Sequence, residues 1–262
     1  MKYIKLIIFI LTVITVITVI SFIKLYYLNI KEVIEKKIKI IYYAYLNEER
    51  WRYIVLPQMV DLLNCGLLSN SDLVVNLSGK SEVMEEAERE IRKILSNYNE
   101  NVVFTYTYEN LYEYPGILSL YEECNKNPEK IYLYFHSKGM FFYQNDERLL
   151  DEIIIFKLVI TNWKNVINIF NNNNKINKVS FGCSKEGFCW YNFFWVRGEY
   201  ITKCNRPKIT DDRYYYESYI GEENENSTFL DCYNLVENNA KDYYSSGEIH
   251  DVLSRYKYFF NL

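Results

Sequence analysis

Histidine, phosphate-binding glycine loops and excess positive charge are all scarce or missing in this chain. Its two histidines are His136 and His250, and no Gly-x-Ser-x-Gly elbow occurs, so Ser-His-Asp hydrolysis is hard to build. Neither G-x-G-x-x-G nor G-x-x-x-x-G-K-[ST] can be formed from its nine glycines. That removes the backbone cradles on which Rossmann dehydrogenases and P-loop NTPases hold phosphate. The net charge is −4 and no basic stripe stands out, which argues against nucleic acid as a partner. The six cysteines include no C-x-x-C pair and no zinc spacing. A structural zinc site is therefore not expected, and the thiols read as buried small hydrophobes or free groups. No internal repeat is evident.

What is abundant is apolar and aromatic. Hydrophobic residues make up 49% of the 262 positions and aromatics 18%, with 27 tyrosines. A disordered chain has few aromatics and a high net charge. A chain of this length can bury a sizeable core without disulfides. Leu6 to Ile23 carries no charge, and about 20 residues at 1.5 Å each cross a hydrocarbon core of about 30 Å. Thr12, Thr15, Thr18 and Ser21 recur within it, and hydroxyls are tolerated in lipid because they bond back to helix carbonyls. No small-x-small cleavage site follows, so the expectation is an uncleaved anchor over residues 1–24 and a stalk over 25–37. Lys2 and Lys5 precede the span; Lys24, Lys31, Lys36, Lys37 and Lys39 follow it. The positive-inside rule then favours a cytosolic domain. The sequons at Asn76 and Asn226 suit a lumenal one. The side on which the domain sits stays open.

Beyond the stalk, apolar runs alternate with helical patterns. Strands are expected at 38–45, 72–77, 101–107, 131–135 and 179–183, from β-branched and aromatic runs. Helices are expected at 48–63, with Pro57 kinking or dividing it, at 82–95 with Ser81 as cap, at 111–124 broken by Pro115-Gly116, and at 147–170. Short links between strand and helix predict an α/β fold with a mostly parallel sheet flanked by helices. In such sheets ligands sit beyond the C-terminal strand ends. After Gly221 the chain is acidic and Asn-rich and reads as a C-terminal cover or a partly mobile tail.

Three clusters could carry chemistry. The fourth strand runs into His136-Ser137-Lys138-Gly139, which could bind a diphosphate or be a polar turn. Trp190 to Arg197 is dense in aromatics, suited to stacking on sugar or to a core segment. Arg213 and Glu217 are four apart on a helix, an ion pair or a held general base.

In order and spacing these clusters resemble a glycosyltransferase-like family found in large viruses, algae, fungi and bacterial polysaccharide synthesis. Its motifs are Y-x-H-[ST]-K-G, G-N-F-W-W-[AS]-R and R-x-x-x-E-x-[WY]-[IL]. Tyr134 to Gly139 matches the first in full, and Arg213, Glu217, Tyr219 and Ile220 match the third. In the second, Asn192, Phe193, Trp195 and Arg197 are kept, while Tyr191 replaces Gly, Phe194 a Trp and Val196 the small residue. The resemblance covers about 130–221. It implies a GT-A-like domain over 38–262, with a donor half over about 38–139, an acceptor half over about 140–221 and the cover over 222–262. It implies transfer of a sugar from a nucleotide-sugar donor to a glycan or lipid-linked acceptor at a membrane. The alternative is an inactive domain that binds glycan or protein. Tyr45, Asn47, His136, Ser137, Lys138 and Gly139 would bind donor; Asn192, Trp195, Arg197 and Arg213 would line sugar and acceptor. Glu217 and His136 would be catalytic. Many GT-A enzymes carry an Asp-x-Asp with Mn²⁺ or Mg²⁺ where this chain has His136-Ser137-Lys138, so the use of a divalent cation is open, and Lys138 could supply the charge instead.

Overall fold

The computed structural model describes residues 18, 37–137, 150–236 and 241–259. The expected anchor, Thr18 apart, and the stalk, Lys37 apart, lie outside the described residues. The chain divides into two compact units, of which the second, Ile38–Leu262, carries the fold described below.

Seven strands form one sheet: β1 (Ile38–Tyr45), β2 (Ser71–Ser78), β3 (Val102–Thr107), β4 (Ile131–His136), β5 (Lys178–Ser180), β6 (Phe194–Arg197) and β7 (Cys232–Asn234). Their order is β3-β2-β1-β4-β6-β5-β7. The first four are mutually parallel. β6 runs against both β4 and β5, and β7 is parallel to β5, so β6 alone opposes the rest.

β1 shows why the parallel half is so readable. Ile38, Ile40, Tyr42 and Ala44 point into one core layer, and Ile41 and Tyr43 into the other. A strand covered on both faces reads as one continuous apolar run. On the first face lie α1 (Trp51–Asn64), α2 (Ser81–Ile94), α4 (Leu150–Phe156), α5 (Trp163–Asn172) and α8 (Ser246–Phe259). On the second lie α3 (Tyr114–Lys126), α6 (Gly198–Ile201) and α7 (Arg213–Glu222).

Several elements differ from expectation for identifiable reasons. α1 runs unbroken through Pro57, since tertiary packing of Trp51, Ile54, Met59 and Leu62 outweighs one missing N–H. Lys80, not Ser81, occupies the cap position of α2. Pro115 sits in the first turn of α3, where its missing N–H has no helical partner to lose, so it opens the helix rather than breaking it. Gly116 then lets α3 lie against the sheet: a Cβ there would stand 2.6 Å from Tyr43 Cβ and 2.8 Å from the Tyr134 hydroxyl.

The expected long helix is two helices joined through a π-turn at Lys157–Thr161, with a 50° bend. That turn presents the Val159 carbonyl to Trp195 Nε1 at 2.7 Å. No single described helix is long and apolar enough to cross a membrane; the bent pair passes only as a pair. The segment expected as a cover or tail holds an edge strand, β7, and α8. The N-terminus of α8 is closed by a reciprocal cap: the Ser245 hydroxyl and amide donate to Glu248 Oε2 at 2.9 and 3.0 Å.

Candidate functional site

The C-terminal ends of β1, β2 and β3 open into a cleft of about 500 Å³. Tyr45, Asn47, Glu48, Gly79, Lys80, Tyr108 and Asn110 line it. Gly79 ends β2 with φ +149°, and a Cβ there would meet the Leu46 carbonyl oxygen at 3.1 Å; glycine thus permits the two strand-end loops to approach. Asn47 shapes the floor. Its side chain accepts from the Glu49 amide at 3.0 Å, and its carbonyl accepts from the Arg50 and Trp51 amides as α1 begins. Both residues expected on the nucleoside side, Tyr45 and Asn47, therefore face one cavity.

Along the same sheet edge, β4 ends in His136. The Ser137 amide donates to the Tyr43 carbonyl at 2.9 Å, and its hydroxyl lies 3.5 Å from the Tyr45 carbonyl. The His136 carbonyl accepts from Gln58 Nε2 at 3.2 Å. Gln58 is wholly buried and is itself fixed: its amide donates to Glu152 at 2.8 Å and accepts from the Tyr42 hydroxyl at 2.6 Å. The imidazole meets Phe193 edge-on, with Nε2 3.3 Å from the Tyr191 carbonyl and Nδ1 3.7 Å from Glu113 Oε1.

Glu113 is the centre of this arrangement. Its Oε2 accepts from the Tyr134 hydroxyl at 3.0 Å and from Asn192 Nδ2 at 2.6 Å. Asn192 Nδ2 also lies 3.2 Å from the Tyr216 carbonyl of α7. Burial first, and then the Glu113 charge, push the Tyr134 phenol well above its ordinary pKa, so it stays a donor. Glu113 was not among the residues expected from sequence. The signal available was an acid in the loop after a parallel strand, at the start of a helix, where both the topology and the helix dipole favour a functional carboxylate.

Backbone strain gathers at the same place. Among the described residues, the non-glycine positions with positive φ are Tyr112 (51°), Tyr191 (68°) and Asn192 (57°). All adjoin Glu113 in sequence or through the Asn192 bond. A non-glycine residue in this region costs about 1 kcal/mol or more. Tyr191 stands where the resembled motif has glycine, and its φ supplies the physical reason glycine suits that position. Its buried ring holds it there: the hydroxyl lies 3.0 Å from His250 Nδ1, and Phe181 packs at 5.8 Å. Both histidines of the chain thus meet Tyr191, one at the carbonyl and one at the hydroxyl.

Trp195 and Arg197 fall elsewhere. Trp195 is wholly buried, its indole spent on Val159. Arg197 pairs with Ile131 at the opposite end of β4 from His136, roughly 17 Å away at 3.3 Å per residue. Its guanidinium bonds the carbonyls of Phe170 (2.7 Å), Asn173 (3.3 Å) and Ile176 (2.8 Å), closing the end of α5. The expectation that Trp195 and Arg197 line the sugar is corrected on this ground: the strand register turns one into the core and carries the other to the far edge. Arg213 is the first residue of α7, after the Asp212 cap. Glu217 is half-buried on that helix. Lys138 and Gly139 lie outside the described residues.

Among the described residues, a divalent cation finds a poor donor set here. Among the described residues, the His, Cys, Asp and Glu side chains grouped closely enough to hold an ion are three thiols remote in kind from this edge, and Mn²⁺ or Mg²⁺ prefers oxygen. Glu113 is one carboxylate already committed to Tyr134 and Asn192. No protein-family model matches the sequence, and no curated protein matches it.

Proposed function

We propose that the chain is a GT-A-like glycosyltransferase that moves a sugar from a nucleotide-sugar donor to a glycan or lipid-linked acceptor. The observation that carries this reading is the meeting of three motifs far apart in sequence: His136 beside Glu113, Glu113 bonded to Asn192, and Asn192 bonded to the α7 backbone. Beside them lies a cleft at the ends of parallel strands, of a size that suits a small ligand. The division of the sheet supports the same reading. Its parallel half supplies the cleft, as a donor half would, and its mixed half supplies Asn192 and α7.

In this reading Tyr45 and Asn47 hold the nucleoside, and Ser137, Lys138 and Gly139 the diphosphate. An acceptor hydroxyl attacks the anomeric carbon as the bond to the diphosphate oxygen breaks. Glu217 takes the hydroxyl proton. His136 and Lys138 stabilise the negative charge that develops on the leaving diphosphate. Glu113 is a positioning residue that fixes the imidazole and the Asn192 amide; Asn192 and Arg213 face the acceptor. The apolar segment 6–23 would keep the domain beside a membrane-borne acceptor.

The test is a panel of nucleotide sugars offered to the full chain in detergent, with released nucleoside diphosphate measured. Turnover that Glu217→Gln abolishes, and that Glu113→Gln lowers at least ~10-fold (about 1.4 kcal/mol in the barrier), is the expected result. No turnover with any donor overturns the enzyme reading, and binding without turnover points to a sugar-binding module. Turnover that survives EDTA would assign the charge role to Lys138 and His136.

A further inference from the structure

Away from the cleft, three thiols converge from separate segments. Cys183 follows β5, Cys189 returns opposite it across a short antiparallel bridge, and Cys232 begins β7. All three are buried, at 0%, 1% and 6% exposure, and their Sγ atoms lie within 4.8 Å of one another. The Cys183–Cys189 separation is 4.0 Å. Three thiolates at about 2.3 Å from one ion stand about 3.8 Å apart, so binding asks for a contraction of under about 1 Å per pair. A disulfide would account for Cys183 and Cys189 and leave Cys232 without a role.

Polar groups adjoin the three thiols. The Ser180 hydroxyl lies 3.5 Å from Cys183 Sγ, and the Cys183 amide is fixed by Asn234 Oδ1 at 2.7 Å. Lys178, wholly buried on β5, holds its ammonium against Asp231 (2.9 Å) and the Tyr200 hydroxyl (3.0 Å). Burial raises the Cys183 and Cys232 thiols. Soft thiolates select thiophilic d¹⁰ ions over Mg²⁺ or Mn²⁺.

We propose that Cys183, Cys189 and Cys232 bind one thiophilic metal ion, Zn²⁺ or Cu⁺, that staples the segment leading into the strained Tyr191–Asn192 turn to the edge strand β7. The Trp190 amide bonds the Gly182 carbonyl at 2.9 Å, so the staple lies immediately before that turn. Binding ionises the thiols and releases their protons to water. The site is independent of the transferase reading and stands whether or not the chain turns over a sugar.

The test uses the full chain, reduced and stripped of metal. Cobalt(II), as a spectroscopic stand-in, should give a thiolate-to-metal charge-transfer band that saturates at one equivalent. Cys183→Ser, Cys189→Ser and Cys232→Ser should each lower that band by about a third or more, while Cys65→Ser, half-buried elsewhere, leaves it unchanged. Competition against chromophoric chelators for Zn²⁺ and for Cu⁺ then tells which ion is held more tightly. If a serine variant does not fold, the wild-type spectrum still decides. Absence of the band in reduced wild-type chain overturns the proposal, as does a band unaffected by all three substitutions.

Discussion

The two halves of the sheet are held together by different means. In the parallel half, β1 to β4 bury mostly Ile, Leu, Val and Tyr on both faces, with Ser71, Asn76 and Ser78 of β2 buried among them, and its ion pair Lys39–Glu123 keeps 16% exposure on each side chain. In the mixed half, β5 and β7 carry polar groups inside: Lys178, Ser180 and Asn234 are all at 0% exposure. An apolar core is permissive, because shape and volume can be met by many residues. A buried polar network is exacting, because removing one member strands another. The strained Tyr191–Asn192 turn lies in the half whose strands carry a fully buried charge, Lys178.

The largest expected effect breaks that contrast or upholds it. Lys178→Met leaves Asp231 without its buried cation and should cost about 3–5 kcal/mol, read from urea unfolding at unchanged m-value. Lys39→Met, at the margin of the parallel half, should cost at most about 1 kcal/mol. Equal losses would show that the halves do not differ in this way. Next comes Gly116→Ala, which forces a methyl against Tyr43 and Tyr134. A loss of about 1–3 kcal/mol is expected from overpacking, together with a fall in any transferase activity as α3 carries Glu113 away; unchanged stability would show that α3 shifts freely.

Smaller effects sharpen the account of strain. Tyr112 is 41% exposed and left-handed at φ 51°. Tyr112→Asn should stabilise by about 0.5–1 kcal/mol, since Asn tolerates that conformation. A destabilisation in thermal melts would mean the ring contributes more than its exposure suggests. The smallest effect concerns acid. Lys241, Ser245 and their hydrogen bonds hold the Glu248 carboxyl down to about 2, below an unfolded value of about 4.3. A depressed carboxyl stabilises above its unfolded pKa and loses that contribution as pH falls through the folded one. The melting temperatures of wild type and Glu248→Gln should therefore differ near neutrality and converge as pH drops toward about 2; a difference independent of pH would rule the ionic cap out.

Much of the parallel half was legible, because strands buried on both faces leave continuous apolar runs and β1 is bounded by sequence as it is in space. β6 was not, since Phe194 to Arg197 looks aromatic rather than alternating, and β7, at three residues, is too short to leave a pattern. The π-turn at Lys157–Thr161 hid in a mostly apolar stretch. At the site, His136, Ser137 and Asn192 were visible through their motifs. Glu113 left only a positional signal, an acid after a parallel strand at a helix start, because its partners come from β4 and from the Tyr191–Asn192 turn, contacts that only the fold creates. Lys178 and the thiol cluster escaped for the same reason: a lysine in a strand gives no sign of burial, and thiols on β7 and before β6 obey no local spacing.

The ring of Tyr191 has a consequence for the order in which the molecule is made. Its hydroxyl is held from α8 by His250, while its carbonyl touches His136 at the end of β4. Synthesis runs from N- to C-terminus, and early segments begin to fold before late ones emerge. The cleft at β1 to β3 can form while the ribosome is still adding residues. The seam around His136 cannot be finished until α8 has left the exit tunnel, so the last helix translated is the one that completes it.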